Sequence, residues 1–420
     1  MRQYHQFWRP IVAAFDPWKP IEIGDKQGWY VERPDSPLQM MVNHLTMTPD
    51  TPRKIMLTGQ PGSGKSSELA RLATELRDEF AVVWLDVDKE LNIFEFSAVE
   101  VLVAIARKLD QALKLDKEYE HLRSTLFSYV EVRGTGTTGK VQAPKLLKEL
   151  VGLDAERVFL AREVKERLER PPVLLEIVSS LNALIKRAQD KAQKPLLMIV
   201  DGLDKVDLDL ARRLFVHNDL LAQPRCHVVY AIPFPLYFSV GRQEASDRGF
   251  LPRYLPNLHP DEPSHRALLR RVVTVRLPEL AEKIITPPAL NQAVEMSGGL
   301  IRDLITLVNL AIFQCLGVRT RQIDEAIVQE AVAAYRLDKA RELRYGYYWE
   351  ELSKVRNTHQ LTDRIATEYD KEGQERKFRI CDRLLRGRHI VNYANDDPWY
   401  DVHPIVKLAM DAREKDAAHD

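Results

Sequence analysis

One stretch of this sequence limits the fold and the chemistry of the chain more than any other. Residues 54–69, KIMLTGQPGSGKSSEL, match the Gly-x-x-x-x-Gly-Lys-Ser/Thr template without a mismatch. The glycines let successive backbone N–H groups curl around a phosphate chain. Lys65 brings a positive charge to the terminal phosphates, and the hydroxyl of Ser66 is a ligand for Mg²⁺. An apolar strand signal precedes the loop at residues 55–57 and a helix signal follows it at residues 68–76, which is the context that the motif requires.

We therefore expect ATP and Mg²⁺ to bind at this loop. The predicted nucleotide-binding residues are consecutive: Gly59, Gln60, Pro61, Gly62, Ser63, Gly64, Lys65, Ser66 and Ser67. Lys65 is also predicted to act in catalysis, because its charge faces the phosphates, and Ser66 is predicted to be a metal ligand. The alternative is a chance Gly/Ser-rich turn. A complete match that lies between a strand and a helix argues against that alternative.

Composition sets the class of protein. The 420 residues are enough for two to four domains with a large core. Lys and Arg together number 61, as do Asp and Glu, so no net charge draws the chain toward nucleic acid or a membrane surface. The three cysteines are far apart and lack metal-ligand spacing, which is typical of a reduced, cytoplasmic protein. Because no long apolar run appears, we expect a soluble protein that is not exported.

A second stretch, PLLMIVDGLDKV at residues 195–206, reads as a buried strand that ends in an acidic residue. Asp201 stands at the carboxyl end of this strand, where a carboxylate can hold the water shell of Mg²⁺, and we predict that it lies on the metal side of the site. Asp204 is the nearest carboxylate that can orient an attacking water, and we predict a catalytic role for it. For both residues the alternative is a turn aspartate that caps the next helix.

The remaining segments give a domain plan. Residues 1–50 form an aromatic, proline-containing lead that ends in a helix near residues 37–45. Residues 51–275 form an α/β core, in which residues 81–87 and 226–232 are further buried strands. Residues 93–194 are largely helical, with a Gly/Thr-rich break at residues 134–139, and are too long for a normal crossover between strands. We predict that they are a helical insertion.

The phosphate loop and the acidic strand end together resemble P-loop ATPases of the AAA+/STAND grouping. The resemblance implies a parallel-sheet P-loop NTPase core with the helical insertion, a helical lid at residues 276–338 and a C-terminal winged helix at residues 339–420. Many AAA+ ATPases place Glu directly after the strand-end Asp, whereas this sequence has Gly202. They also place a polar residue at the end of the following strand, where this sequence reads Pro233-Phe234-Pro235. Both departures imply slow hydrolysis of ATP.

Three further positions resemble functional positions of the grouping. The stretch Tyr30-Val31-Glu32-Arg33 resembles, in altered order, the short Val-Gly-Arg-Glu entry motif of origin-recognition and STAND ATPases. Arg302 follows a glycine pair where origin-recognition ATPases place a nucleotide-sensing arginine, and a helix-surface arginine is the open alternative. His403, in Val402-His403-Pro404, faintly resembles the histidine of a STAND motif that contacts the nucleotide. A separate set, Arg242, Arg248 and Arg253, contains candidates for an arginine finger or plain surface arginines.

The predicted winged helix has helices near residues 347–355, 361–369 and 377–385, followed by two strands in HIVNYA and WYDVH. Its third helix is basic. A phosphate-contacting surface would use the basic residues Arg376, Lys377, Arg379 and Arg383. A solvated helix face explains the same charges equally well, so contact with DNA stays open at this point. Self-association is also left open by the sequence.

Three functions fit these features. The first is a switch that binds ATP and ADP between core and lid and controls a partner protein or assembly. The second is a DNA-engaging ATPase of initiator or transposition-regulator type. The third is a scaffold that binds ATP without turnover, which the residues at Gly202 and Pro233 favour.

Overall fold

The fold is that of a computed structural model, which describes residues 2–91, 96–113, 171–277, 281–369, 375–393 and 399–417. The chain divides into two compact units. The sheet unit consists of Pro37–Thr58 and Arg71–Tyr254. The helical unit consists of Met1–Ser36, Gly59–Ala70 and Leu255–Asp420, so it includes the phosphate loop. We describe each unit by itself.

A five-stranded parallel sheet forms the centre of the sheet unit, as the sequence predicts. Its strands are β1 (Lys54–Thr58), β2 (Ala81–Asp86), β3 (Leu196–Asp201), β4 (His227–Ala231) and β5 (Phe250–Tyr254). Their spatial order is β2-β3-β4-β1-β5, and all four neighbouring pairs run parallel. Strands β1 and β4 are buried along their whole length, which explains their continuous apolar sequences. Only the edge strand β5 was not predicted.

Helices cover this sheet. The described helices of the sheet unit are α2 (Leu38–Thr46), α4 (Val87–Glu90), α5 (Ala98–Leu113), α6 (Pro171–Ala192), α7 (Leu208–Phe215), α8 (Phe234–Tyr237) and α9 (Gly241–Asp247). Helices α5 and α6 carry apolar residues at spacings of three and four and pack against each other in the core. They confirm the helical character of the two ends of the predicted insertion. Residues 114–170, with the Gly/Thr-rich break, lie outside the described residues.

The helical unit begins with a helix that the sequence analysis did not predict, α1 (Arg2–Ala14), which contains Pro10. Trp8 and Phe15 bury the apolar side of this segment in the unit's core. Helix α3 (Lys65–Leu76) starts at the phosphate loop and continues into the sheet unit. The later helices are α10 (Pro263–Thr274), α11 (Ala281–Ile284), α12 (Pro287–Met296), α13 (Ile301–Val318), α14 (Glu325–Glu342), α15 (Gly346–Thr358), α16 (Ile380–Arg386) and α17 (Pro404–Ala417).

Helix α13 is the central helix of this unit. Gly298 and Gly299 join it to α12, as predicted, and both have positive φ angles. A Cβ on Gly299 would lie 1.6 Å from the carbonyl oxygen of Leu258, so only glycine fits at this turn. Among the described residues, α13 alone is long and apolar enough to span a membrane by length and composition. The apolar side chains on one side of the helix pack into the core of the helical unit, whereas Phe313 and Val318 are exposed.

The C-terminal region differs from the prediction in its middle part. The predicted helix at residues 361–369 is wrong, because Ile365–Tyr369 form strand β6. The predicted basic helix at residues 377–385 is partly wrong, because Glu375–Arg379 form strand β7, antiparallel to β6, before α16 begins. The alternation of β-branched and aromatic residues in IATEY favours a strand over a helix.

The last two predicted strands are confirmed in position as β8 (Ile390–Asn392) and β9 (Tyr400–Val402), which pair antiparallel. Helix α15 likewise covers the first predicted helix of this region. The description of residues 339–420 as a winged helix, and the domain boundaries, stay predictions.

Candidate functional site

The phosphate loop begins directly after β1 and ends at the first residue of α3. Gly62 and Gly64 have φ angles of 92° and 107°, a region that favours glycine. The absence of a side chain at Gly62 makes room for its neighbours, because a Cβ there would meet Arg388 at 3.1 Å and Arg302 at 3.2 Å. The Nζ of Lys65 donates to the carbonyl oxygens of Gly59, at 2.8 Å, and Gln60, at 3.4 Å. The loop therefore shows the glycine conformations and the lysine that the phosphate-loop motif requires, and its binding of phosphate stays a prediction.

The side chain of Gln60 ties this loop to the C-terminal region within the helical unit. Its Nε2 donates to the carbonyl oxygens of Leu385, at 3.1 Å, and Ile390, at 2.5 Å. Its Oε1 accepts from the backbone N–H of Asn392, at 3.1 Å, and from Nδ2 of Asn257, at 2.6 Å. Gln60 is fully buried, and four hydrogen bonds satisfy its carboxamide. Gln60, which is predicted to bind nucleotide, thus also links the phosphate loop to residues 385–392 of the C-terminal region.

The N-terminal lead contacts the loop through Arg33, the arginine of the altered entry motif. Its guanidinium donates to the carbonyl oxygens of Ser63, at 2.9 Å, and Pro256, at 2.6 Å, and pairs with Asp35 at 3.0 Å. Close by, Glu68 in the first turn of α3 accepts a hydrogen bond from Ser36 at 2.6 Å. Burial raises the pKa of Glu68, against the opposing effects of Ser36 and Arg33. The N-terminal lead therefore holds the phosphate loop and the start of α3 through hydrogen bonds within the helical unit.

Arg302, the predicted nucleotide sensor, lies in the first turn of α13. Its backbone N–H donates to the carbonyl oxygen of Gly62 at 3.1 Å. Its guanidinium carbon lies 5.3 Å from the ring centroid of Trp18, an indole that is 75% exposed. The structure thus places Arg302 in contact with the phosphate loop. Its role in nucleotide sensing stays a prediction.

A buried ionic cluster follows directly after Arg302. Asp303 Oδ1 accepts from Nε of Arg388 at 2.8 Å and from the hydroxyl of Tyr335 at 2.7 Å. Burial alone would raise the pKa of Asp303, but Arg388, Lys339 and His403 outweigh it and hold that pKa well below its usual range. Burial lowers the pKa of Lys339 to about 8, although Asp303 opposes that shift. Asp303 is therefore an ionised carboxylate, and it joins α13 to the C-terminal region.

His403, the other predicted nucleotide contact, is fully buried in this cluster. Its Nε2 lies 3.1 Å from the carbonyl oxygen of Ser297 and 3.2 Å from Oδ2 of Asp303. Its Nδ1 accepts the backbone N–H of Ile405 at 3.2 Å, so the neutral ring carries its proton on Nε2. The structure surrounds this ring with protein groups. A direct contact between His403 and a nucleotide stays a prediction.

Acidification is expected to destabilise the helical unit through His403. Burial lowers the pKa of His403 from its usual 6.5, with Lys339 and Arg388 adding to that effect and Asp303 opposing it. Because the unfolded chain takes up the proton first, stability is complete above pH 6.5 and falls as the pH drops toward the folded pKa. Between pH 7.5 and 5.5, we expect the free energy of unfolding, measured with urea, to fall by about 1 kcal/mol less for His403→Gln than for the unaltered protein. His217→Gln, at an exposed position, is the control. A pH slope for His403→Gln equal to that of the unaltered protein would contradict this account.

The predicted acidic residues belong to the sheet unit. Asp201 is the last residue of β3, and its Oδ1 accepts the backbone N–H of Gly202 at 2.9 Å. Gly202 has a φ angle of 95°, which turns the chain into a short 3₁₀ helix, Leu203–Lys205, that contains Asp204. Since β1 and β3 belong to one parallel sheet, both strands end at the same edge. Among the described residues, no group of three His, Cys, Asp or Glu side chains is arranged to hold a metal by itself.

The basic residues of the predicted surface lie on two elements, and two of them already interact with other side chains of the chain. Arg376 and Lys377 lie on β7 together with Arg379, whose guanidinium pairs with Asp363 at 2.5 Å. Arg383, on α16, holds its guanidinium carbon 3.5 Å from the ring centroid of Phe378. The basic side chains therefore do not form the single helix face that the sequence suggested.

The three candidates for an arginine finger lie in the sheet unit. Arg242 stands over the ring of Tyr237 at 4.7 Å, and Arg248 follows the end of α9. Arg253 belongs to β5, and burial lowers its pKa. Their roles stay predictions.

Comparison with known proteins agrees with the loop and the sheet. Residues 38–230 match the KAP family P-loop domain. The chain contains a P-loop NTPase domain. The matched range starts at α2 and ends in β4, so it includes the phosphate loop and Asp201. No curated protein matches the chain in sequence.

Similar solved structures are more distant. Cdc6p from Pyrobaculum aerophilum is 11% identical, with 96% of this chain and 98% of that chain covered and a TM-score of 0.43. The Aeropyrum pernix ORC1 protein, in complex with DNA, is 13% identical, with 96% and 98% covered and a TM-score of 0.45. Drosophila ORC bound to DNA is 12% identical, with 96% and 90% covered and a TM-score of 0.43. At these identities and scores, the likenesses carry no functional argument.

Three residues of the site escaped the sequence analysis. Asn257, Asp303 and Arg388 all contact the phosphate loop or a residue beside it, but none belongs to a motif. Asp303 follows Arg302 directly, and nothing in the sequence around it indicates a buried ion pair. Arg388 has a φ angle of 57°, and its side chain is largely buried against Asp303. Its position in a turn after a basic run gives no signal of burial.

Proposed function

We propose that this protein is a nucleotide-dependent molecular switch that binds ATP with Mg²⁺, hydrolyses ATP slowly and controls a partner protein or assembly. One observation carries the proposal. The phosphate loop is hydrogen-bonded through Gln60 to the backbone of residues 385, 390 and 392, so a rearrangement of the loop reaches the C-terminal region directly. Arg388 adds to this link, because it contacts the loop position of Gly62 and pairs with Asp303.

The residues at the loop fit a nucleotide and its metal. Gly62 and Gly64 have the positive φ angles that let the backbone curl around a phosphate, and Lys65 supplies the cation. A hydroxyl from Ser66, at the start of α3, and a carboxylate from Asp201, at the end of β3, are the hard oxygen ligands that Mg²⁺ prefers. When bound, Mg²⁺ neutralises charge on the phosphates. We propose that the chain's own residues hold, orient and shield the triphosphate.

Turnover is proposed to be slow because the chain lacks a glutamate next to Asp201. Gly202 occupies that position, and its positive φ angle turns the chain into the 3₁₀ helix that contains Asp204. We propose Asp204 as the residue that orients water. Slow hydrolysis suits a switch, since each nucleotide state then lasts long enough for a partner to respond. We also propose that the protein works in the cytoplasm.

The proposed switch is tested by removing the side chain of Gln60, which links the phosphate loop to the C-terminal region. Gln60→Ala deletes four hydrogen bonds and leaves buried backbone groups of the C-terminal region unpaired, each at a cost of about 1–3 kcal/mol. The closed arrangement is then less populated, and we expect release of a fluorescent ADP analogue to be at least about tenfold faster. We also expect kcat at saturating ATP to rise. Gln39→Ala, at an exposed position on α2, is the matched control.

Two outcomes separate the switch from a simple loss of a binding residue. Loss of a binding contact alone would speed ADP release but leave kcat at saturating ATP unchanged or lower. That pattern would contradict the proposal. The same assay with duplex DNA addresses the other candidate, a DNA-engaging ATPase, which the exposed Lys377 and Arg379 on β7 favour. Strong stimulation by DNA would support that function in place of the switch.

A further inference from the structure

A tryptophan of the N-terminal lead stands in solvent beside the start of α13. Trp18 is 75% exposed, and its ring centroid lies 5.3 Å from the guanidinium carbon of Arg302. A cation within about 6 Å of an aromatic ring centroid is attracted to the face of the ring. Exposure by itself carries no functional meaning, since single apolar side chains are common on protein surfaces. The contact with Arg302 is what distinguishes this indole.

The segment that carries Trp18 is fixed to the helical unit. Phe15 is fully buried in the core of that unit. The carboxylate of Asp16 accepts the backbone N–H of Trp18 at 2.9 Å, and the carbonyl oxygen of Asp16 accepts the backbone N–H of Lys19 at 3.2 Å. Trp18 therefore belongs to a hydrogen-bonded turn next to a buried anchor, and its indole is presented from a defined backbone position.

The side chain of Arg302 begins directly at the phosphate loop. Its backbone N–H donates to the carbonyl oxygen of Gly62 at 3.1 Å, and a Cβ added to Gly62 would lie 3.2 Å from the Cβ of Arg302. An arginine side chain is long and flexible, so fixing its guanidinium on a ligand costs rotamer entropy. A neighbour that restricts the guanidinium in advance lowers this cost and thereby increases the affinity for the ligand.

Stacking on an indole leaves the hydrogen-bonding groups of a guanidinium available. The ring attracts the flat face of the guanidinium, whereas the N–H groups point outward in its plane. Phosphate oxygens accept hydrogen bonds from that edge, frequently from two N–H groups at once. Trp18 and a phosphate can therefore contact Arg302 at the same time, so the indole orients the guanidinium without competing for its donors.

We propose that Trp18 is a positioning residue for nucleotide binding, which holds the guanidinium of Arg302 for contact with the phosphates of the nucleotide. The inference rests on the proposed function, because it requires a nucleotide at residues 59–67. It gives the N-terminal lead a part in nucleotide affinity through one exposed side chain, which the buried contacts of the lead do not supply.

A double-mutant cycle tests this role. Titration of the full chain with a fluorescent, non-hydrolysable ATP analogue and Mg²⁺ gives the affinities of Trp18→Ala, Arg302→Ala and the double variant. We expect Trp18→Ala to weaken binding about fivefold and Arg302→Ala to weaken it at least about tenfold. Once Arg302 is absent, Trp18→Ala should have no further effect. Trp18→Phe keeps an aromatic ring and should bind the analogue within about twofold of the unaltered protein.

Phe313→Ala is the matched control. Phe313 is an aromatic residue of α13 that is 53% exposed, and it lies about 16 Å along the helix from Arg302. Its replacement should leave the affinity for the analogue within about twofold, because the side chain is far from the phosphate loop. Since Trp18 is largely exposed, Trp18→Ala should leave the midpoint of urea unfolding unchanged.

Three results would overturn the inference: an equal loss of affinity from Trp18→Ala with and without Arg302, unchanged or tighter binding by Trp18→Ala, or unchanged binding by Arg302→Ala. In each of these cases the unaltered protein still binds the analogue, so the proposed function stands. Failure of the proposed function has a different signature. The unaltered protein would then not bind the analogue at all, which would overturn both.

Discussion

Replacement of Lys65 by alanine is expected to weaken binding of ATP by about 100-fold or more, since removing one partner of a desolvated charge pair costs about 2–5 kcal/mol of binding free energy. Lys65 is the cation of the phosphate loop, and its Nζ also holds the carbonyl oxygens of Gly59 and Gln60. The variant therefore loses both the attraction to the terminal phosphates and a support of the loop. Titration with a fluorescent ATP analogue measures the change.

The matched control for this prediction is Lys283→Ala, an exposed lysine on α11 of the same unit. It should leave the affinity within about twofold, because an exposed charge away from the ligand is screened. Unchanged nucleotide affinity of Lys65→Ala would mean that residues 59–67 do not form the nucleotide site.

Replacement of Asp303 by alanine is expected to destabilise the helical unit by about 3–5 kcal/mol, the usual cost of removing one partner of a buried ion pair. Asp303 has no exposed side-chain surface, and its carboxylate balances Arg388 and lies near Lys339. Without it, buried positive charge is left without a counter-charge. Urea unfolding followed by far-ultraviolet circular dichroism measures the loss.

A surface pair provides the control for Asp303. Asp338 pairs with Arg341 at 3.1 Å, and both side chains are largely exposed. Asp338→Ala should therefore cost no more than about 1 kcal/mol. A loss of stability for Asp303→Ala as small as that for Asp338→Ala would show that the buried ion pair of Asp303 does not stabilise the helical unit.

The sheet was predictable because its strands are buried and their signals are local. Residues 55–57, 81–87, 195–201 and 226–232 are apolar runs bounded by turns, and each falls on a strand of the parallel sheet. Strand β5 escaped because FLPRY mixes a proline and an arginine into a short edge strand. Strand β7 escaped because ERKFR has enough charge to resemble a helix surface, and only its pairing with β6 makes it a strand.

The site was predictable where one motif carries the chemistry and not where distant segments meet. The phosphate loop and Asp201 follow local patterns, and the structure places both at strand ends as expected. Asn257 contacts Gln60 across 197 residues of sequence and Arg388 contacts Asp303 across 85, and no local pattern encodes such contacts. Gln60 was predicted as a nucleotide-binding residue, but its bonds to the C-terminal backbone depend on the tertiary fold.

We propose that the nucleotide state alters how tightly the phosphate loop holds the C-terminal region. Amide hydrogen exchange of residues 385–393, compared between the ADP-bound protein and the protein bound to a non-hydrolysable ATP analogue with Mg²⁺, tests it most directly. We expect strong protection of these amides with ADP and at least about tenfold faster exchange with the ATP analogue. Equal protection in the two states, with both nucleotides shown to be bound, would contradict it.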